Sequence, residues 1–98
     1  MGSIARVTMT AEALEEARAL LAAEPLGGAP RNTVLRIAVG SCGLRRPVAA
    51  PAPAAEPADA RLEVDGVPVA IAETMAGSFH ITVGRGRFGA WLDVEQRA

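Results

Sequence analysis

Lysine and tyrosine are absent from this 98-residue chain, cysteine and histidine occur once each, and the aromatic residues are Phe79, Phe88 and Trp91. Each shortage excludes a class of function. Single-stranded nucleic acid is held on several aromatic faces, and duplexes are held on a basic face. Here the ten arginines are scattered among eleven acids, for a formal net charge of -1. No nucleic acid partner is expected. A disulfide needs two thiols, a structural zinc site four ligands from cysteine or histidine, and an iron-sulfur cluster usually four thiolates, so Cys42 builds none of these within one chain. Long apolar runs are missing too. Nothing approaches the roughly 18 residues of a membrane span, and the N-terminus lacks a basic flank followed by an apolar core. The expectation is a cytoplasmic protein with no membrane partner.

What is present is aliphatic. Half of the residues are hydrophobic, which at this length supports one domain over 1–98, burying roughly 65% of the surface of the unfolded chain. Ile4 to Thr8 reads as an extended lead-in. Thr10 is then a fitting N-cap, with Glu12, Glu15 and Glu16 near the positive end of the helix dipole and Leu14, Ala17 and Leu21 at helical spacing, widened by Ala13 and Leu20. The predicted helix is roughly 14 residues long and is ended by Pro25 and Gly27-Gly28.

From Val34 the period changes to two. Leu35, Ile37 and Val39 alternate with Arg36 and Ala38, which predicts a strand with one buried face. Leu62-Glu63-Val64 and Val67 to Ile71 flank Asp65-Gly66, the dipeptide of a two-residue hairpin turn. Phe79, Ile81 and Val83 alternate around His80 and Thr82, after which Gly84-Arg85-Gly86-Arg87 is expected to turn the chain into a last strand through Val94. Between Arg46 and Arg61, Pro47, Pro51, Pro53 and Pro57 stand among alanines, giving a loop or an edge strand over 47–60. The fold class is mostly β (α+β), with one N-terminal helix.

The chemistry-bearing residues are few. Cys42 follows the first strand in Gly40-Ser41-Cys42-Gly43, and free cysteine is among the most buried residue types. In a functional reading, Gly40, Ser41 and Gly43 allow close backbone approach to a ligand, and Arg45 and Arg46 favour the thiolate. His80 reads as a solvated strand residue, and Asp93 and Glu95 as outward charges by alternation. Gly84-Arg85-Gly86-Arg87 lacks the following helix of a phosphate-binding loop. No paired carboxylates, no nucleophile with a nearby histidine and no metal-ligand spacing stand in the sequence. Enzymatic activity is not expected.

Three segments in this order, Val7-Thr8-Met9-Thr10-Ala11-Glu12-Ala13, Leu35-Arg36-Ile37-Ala38-Val39-Gly40-Ser41-Cys42-Gly43 and Leu62-Glu63-Val64-Asp65-Gly66-Val67-Pro68-Val69, resemble the HesB-like family of A-type iron-sulfur biogenesis proteins. With a terminal strand pair they extend over nearly the whole chain. The resemblance implies a compact, mostly β domain with an N-terminal helix, and iron-sulfur assembly proteins as partners. That family uses three cysteines, one in the glycine-rich loop and two in a C-terminal Cys-Gly-Cys. Cys42 matches the first, while Asp93 and Glu95 fall near where the others would lie, so the chain is a degenerate member by this pattern. A cluster would then be shared across a homodimer, with Cys42 the sole protein ligand of each copy and external thiols such as glutathione completing the set. The same residues suit two other roles: a metal-free interaction module on this fold, and a single-cysteine thiol-redox protein forming a mixed disulfide or sulfenic acid at Cys42.

Overall fold

The computed structural model describes residues 6–23, 33–40, 46–75 and 77–97. β1 (Arg6–Met9) leads into α1 (Ala11–Ala22), followed by β2 (Val34–Val39), β3 (Pro47–Ala52), β4 (Ala60–Val64), β5 (Val67–Ile71), β6 (Ser78–Gly86) and β7 (Gly89–Arg97). The strands form two sheets, one in the order β1-β6-β7 and the other in the order β3-β2-β5-β4. This is the mostly β architecture with one helix that the sequence periodicities predict.

α1 starts where Thr10 leaves the strand conformation (φ -69°, ψ 162°). The Ala13 N–H donates to Thr10 Oγ1 at 3.2 Å, while the N–H of Thr10 donates to Ile81 O at 3.1 Å, so the cap also extends the β1–β6 ladder. The helix closes at Ala23, whose N–H reaches Ala19 O before the backbone turns extended. At 12 residues it is slightly shorter than expected. Its deeply buried face is Ala13 and Ala17, with Leu14, Leu20 and Leu21 only partly covered. Two alanines four apart let the helix axis approach closely, and α1 touches β1, β6 and β7 of one sheet and β2 and β5 of the other.

The core lies between the sheets. Leu35, Ile37, Val67, Val69 and Ile71 come from one sheet and Phe79, Ile81 and Leu92 from the other. Burying each such chain is worth about 1.5–3 kcal/mol. The alternation read for β2 holds at Leu35 and Ile37 and fails at Val39, which is 47% exposed. Its position explains this: β5 pairs with β2 only from Leu35 to Ile37, so Val39 has β3 alone beside it.

Both hairpins exist, and one turn is displaced. Val64 pairs with Val67 across Asp65 (φ 46°) and Gly66 (φ 84°), the left-handed pair that this turn requires. The other turn is Arg87-Phe88, between the paired Gly86 and Gly89, and not Gly84–Arg87. Gly84 and Gly86 are strand residues. The Trp91 indole lies across them, so that a Cβ at Gly84 would overlap indole Cε2 and Nε1, and one at Gly86 would come within 3.1 Å of Cζ3.

The proline and alanine segment is both things that its composition allowed. Pro47–Ala52 is an edge strand, antiparallel to β2, and the chain then bends back toward Ala60. The N–H of Gly40 donates to Arg46 O at 3.0 Å, which makes Gly40/Arg46 a hydrogen-bonded pair and fixes the phase of the ladder. Pro47, Ala49 and Pro51 therefore occupy the positions whose backbone groups face away from β2. A proline there costs the sheet no hydrogen bond.

Candidate functional site

Most of the predicted site surrounds Cys42, and most of that lies outside the described residues: Ser41, Cys42, Gly43 and Arg45. Its two flanks are described. Gly40 and Arg46 face each other at the base of the β2–β3 connection, joined by the 3.0 Å bond just noted. Cys42 thus belongs to a connection of residues 41–45 whose ends are held together. A Cβ on Gly40 would meet Val48 Cγ2 at 2.8 Å, so glycine at this position admits Val48 over the strand end. Arg46 is exposed.

The outer face of the β3-β2-β5-β4 sheet carries a polar cluster that sequence reasoning missed. Arg36 stands opposite Ala50 of β3 and Ala70 of β5, two small neighbours that leave room for its side chain. Arg36 Nε donates to Asp59 Oδ2 at 2.8 Å, and its Nη2 donates to Asp59 Oδ1 at 3.0 Å, a two-pronged pair. The Glu56 N–H also donates to Asp59 Oδ2 at 2.9 Å, and the Asp59 N–H returns a bond to Glu56 O at 3.0 Å. Glu56 Oε2 lies 3.4 Å from Arg36 Nη2. The Asp59 side chain is 2% exposed. Hydrogen bonding by Arg36 holds its carboxyl below the ordinary carboxylate range, against the opposing effect of burial and with help from the Glu56 N–H. The same contact raises the Arg36 guanidinium. Every strong polar group here has a partner, and the cluster fastens the bend after β3 onto β2. It is structural.

On the outer face of the other sheet, His80 Nδ1 and Thr8 Oγ1 share a hydrogen bond of 2.7 Å, and Glu95 stands across from His80 on β7. The half-exposed His80 and the exposed Asp93 and Glu95 agree with the sequence reading. Two further contacts hold the helix in place: Arg18 Nη2 donates to Asp65 O at 2.7 Å, and Arg85 Nη2 lies 2.9 Å from Glu12 Oε2. Among the described residues no group of three or more histidine, cysteine, aspartate and glutamate side chains is arranged to hold a metal ion.

Among solved structures, the chain is similar to the crystal structure of IscA with the 2Fe-2S cluster, at a TM-score of 0.59 over 92% of this chain and 84% of that one. The two are 18% identical, so the likeness is one of fold. No protein-family model and no curated protein sequence matches the chain. No helix among the described residues is long and apolar enough to cross a membrane.

Proposed function

We propose that this chain is a non-catalytic protein of iron-sulfur cluster biogenesis, a HesB-like domain reduced to one thiol. The observation that carries the reading is its fold, similar over 92% of its length to a protein solved with a 2Fe-2S cluster. The cysteine count supports it: a lone thiol suits a shared site better than a self-sufficient one. Because the chain has a single cysteine, the cluster is cargo held between two copies, with Cys42 of each and external thiols as ligands. Iron-sulfur assembly proteins are the partners this implies, and a cytoplasmic setting suits a free thiol.

The test is anaerobic reconstitution with iron, sulfide and glutathione, followed by absorption spectroscopy and sizing, with Cys42→Ser in parallel. Visible charge-transfer bands on a dimer, lost in the variant, are the expected result. A colourless monomer in both samples overturns it. A second reading, an interaction module without metal, is favoured by the exposure of large apolar side chains at Val48, Phe88 and Trp91.

A further inference from the structure

The outer strands of the two sheets, β3 and β7, lie against each other, and a groove of about 540 Å³ runs between Arg46–Pro51 on one bank and Ala90–Val94 on the other, with Leu20 of α1 lining it. Its banks differ in hydrogen-bonding character. On β3 the carbonyls of Pro47, Ala49 and Pro51 face away from β2, but only Ala49 has an N–H to go with its carbonyl. On β7 the pair flanking the two-residue turn is the hydrogen-bonded one, so the backbone groups of Ala90, Leu92 and Val94 point away from β6. Among the described residues no backbone hydrogen bond crosses from β3 to β7. The β3 bank is thus rich in acceptors and poor in donors, while the β7 bank offers both.

Two side chains on the β7 bank give it a charge preference. Trp91 rests one side of its indole on Gly84 and Gly86 and is 52% exposed. Asp93, next on the same face of the strand, is exposed and makes no ion pair among the described residues. An aromatic face, an unpaired carboxylate and outward carbonyls together match a planar cation that carries several N–H donors, which is a guanidinium. The groove follows β7 from Ala90 to Val94, which suits an extended peptide lying along the seam that would carry it; β3 and β7 stand too close for a strand to enter between them. A second copy of β7 is the poorer occupant: of the three central antiparallel registers, two set Asp93 against Asp93 or Glu95, where like charges destabilise a strand pair, and the third sets it against Trp91 and brings it no cation. Arg46, on the other bank, disfavours a run of cations.

We infer that the β3–β7 groove binds an extended segment of a partner protein bearing a single arginine, whose guanidinium stacks on Trp91 and pairs with Asp93. Trp91 is the sole tryptophan, so its emission reports directly on the groove. The probe is the acetylated and amidated peptide Ser-Val-Arg-Val-Ser, with citrulline or glutamate in place of arginine as comparators. Saturable change in Trp91 emission is expected with the arginine peptide alone, weakened at least about tenfold by Asp93→Asn and weakened again between about 0.05 and about 0.5 M salt. Asp93 is exposed, so circular dichroism of the variant should match that of the parent. Amide shifts at Ala90, Leu92 and Val94 give a second readout. Silence in both readouts, equal binding of the citrulline or glutamate peptide, or unchanged affinity in Asp93→Asn overturns the inference. The titration needs neither iron nor Cys42, and Cys42→Ser protein should give the same curve, so its failure and that of the cluster reading are separable.

Discussion

The two sheets bury comparable inner faces and treat their outer faces differently. Outside β2 and β5, the Arg36–Asp59 pair is half enclosed, fully hydrogen-bonded and closed over by the bend that follows β3. Outside β6 and β7, a tryptophan lies flat on two glycines and a row of carboxylates faces water. One face has its central arginine fastened to its own chain. The other keeps an aromatic surface and an unpaired charge open, which is the condition for meeting a partner.

The inner faces should respond alike, and this provides the baseline. Phe79→Ala and Ile37→Ala remove side chains that are 1% and 0% exposed in opposite sheets. Each is expected to cost about 2–5 kcal/mol in denaturant unfolding, a large share of the stability of a domain this size. A loss under about 1 kcal/mol at either position would mean that its sheet does not share the common core.

The outer faces should then separate. Asp59→Asn leaves Arg36 without its anion and the Glu56 N–H with a weaker acceptor, and a fall in Tm of about 5–10 °C is expected. The sign of the pH dependence follows from the depressed Asp59 carboxyl. Its contribution is whole above the ordinary carboxylate value of 3.8 and is lost as pH falls through the lower folded value. The parent should therefore lose more stability than Asp59→Asn on acidification below about pH 4, so that their Tm curves converge. Parallel curves would show that Asp59 does not titrate with folding. On the other sheet, Gly84→Ala forces the indole off its bed, because a Cβ cannot coexist with Trp91 Cε2 and Nε1 where they stand. A cost of about 1–2 kcal/mol is expected, with Trp91 emission moving to the red as the ring enters water. Unchanged emission would place the indole elsewhere.

Sequence reading reached the parts governed by local rules. Thr10 caps α1 because its hydroxyl meets the Ala13 N–H within one turn, and Asp65-Gly66 turns because that hairpin needs left-handed residues. Arg36 and Asp59 are 23 positions apart, and nothing local announces their pairing. Gly84 and Gly86 were misread for an instructive reason: glycine serves a turn and a flat bed for an aromatic ring equally well, and only the Gly84–Trp91 register distinguishes them. The prolines carried a usable signal. Pro47 and Pro51 share one parity, and one parity along a strand is one side of its edge. Cys42 was legible as a position after a strand, and its surroundings lie outside the described residues.

The smallest expected effect lies at the seam where the two sheets meet. Pro51→Ala gives β3 a second N–H facing β7, in addition to that of Ala49. If proline alone held the strands apart, the new donor would pair and the variant would gain stability. Ala49 argues against this, since it has a donor on the same side and makes no backbone bond to β7. The variant should instead lose about 0.4–1 kcal/mol, because alanine leaves the unfolded chain more freedom than proline does. The amide of residue 51 should exchange with solvent as quickly as an open edge allows. A protected amide together with a raised Tm would mean that the sheets zip into one closed surface once a donor is supplied. The groove beside Trp91 would then close, and arginine-peptide binding should be lost from the same variant.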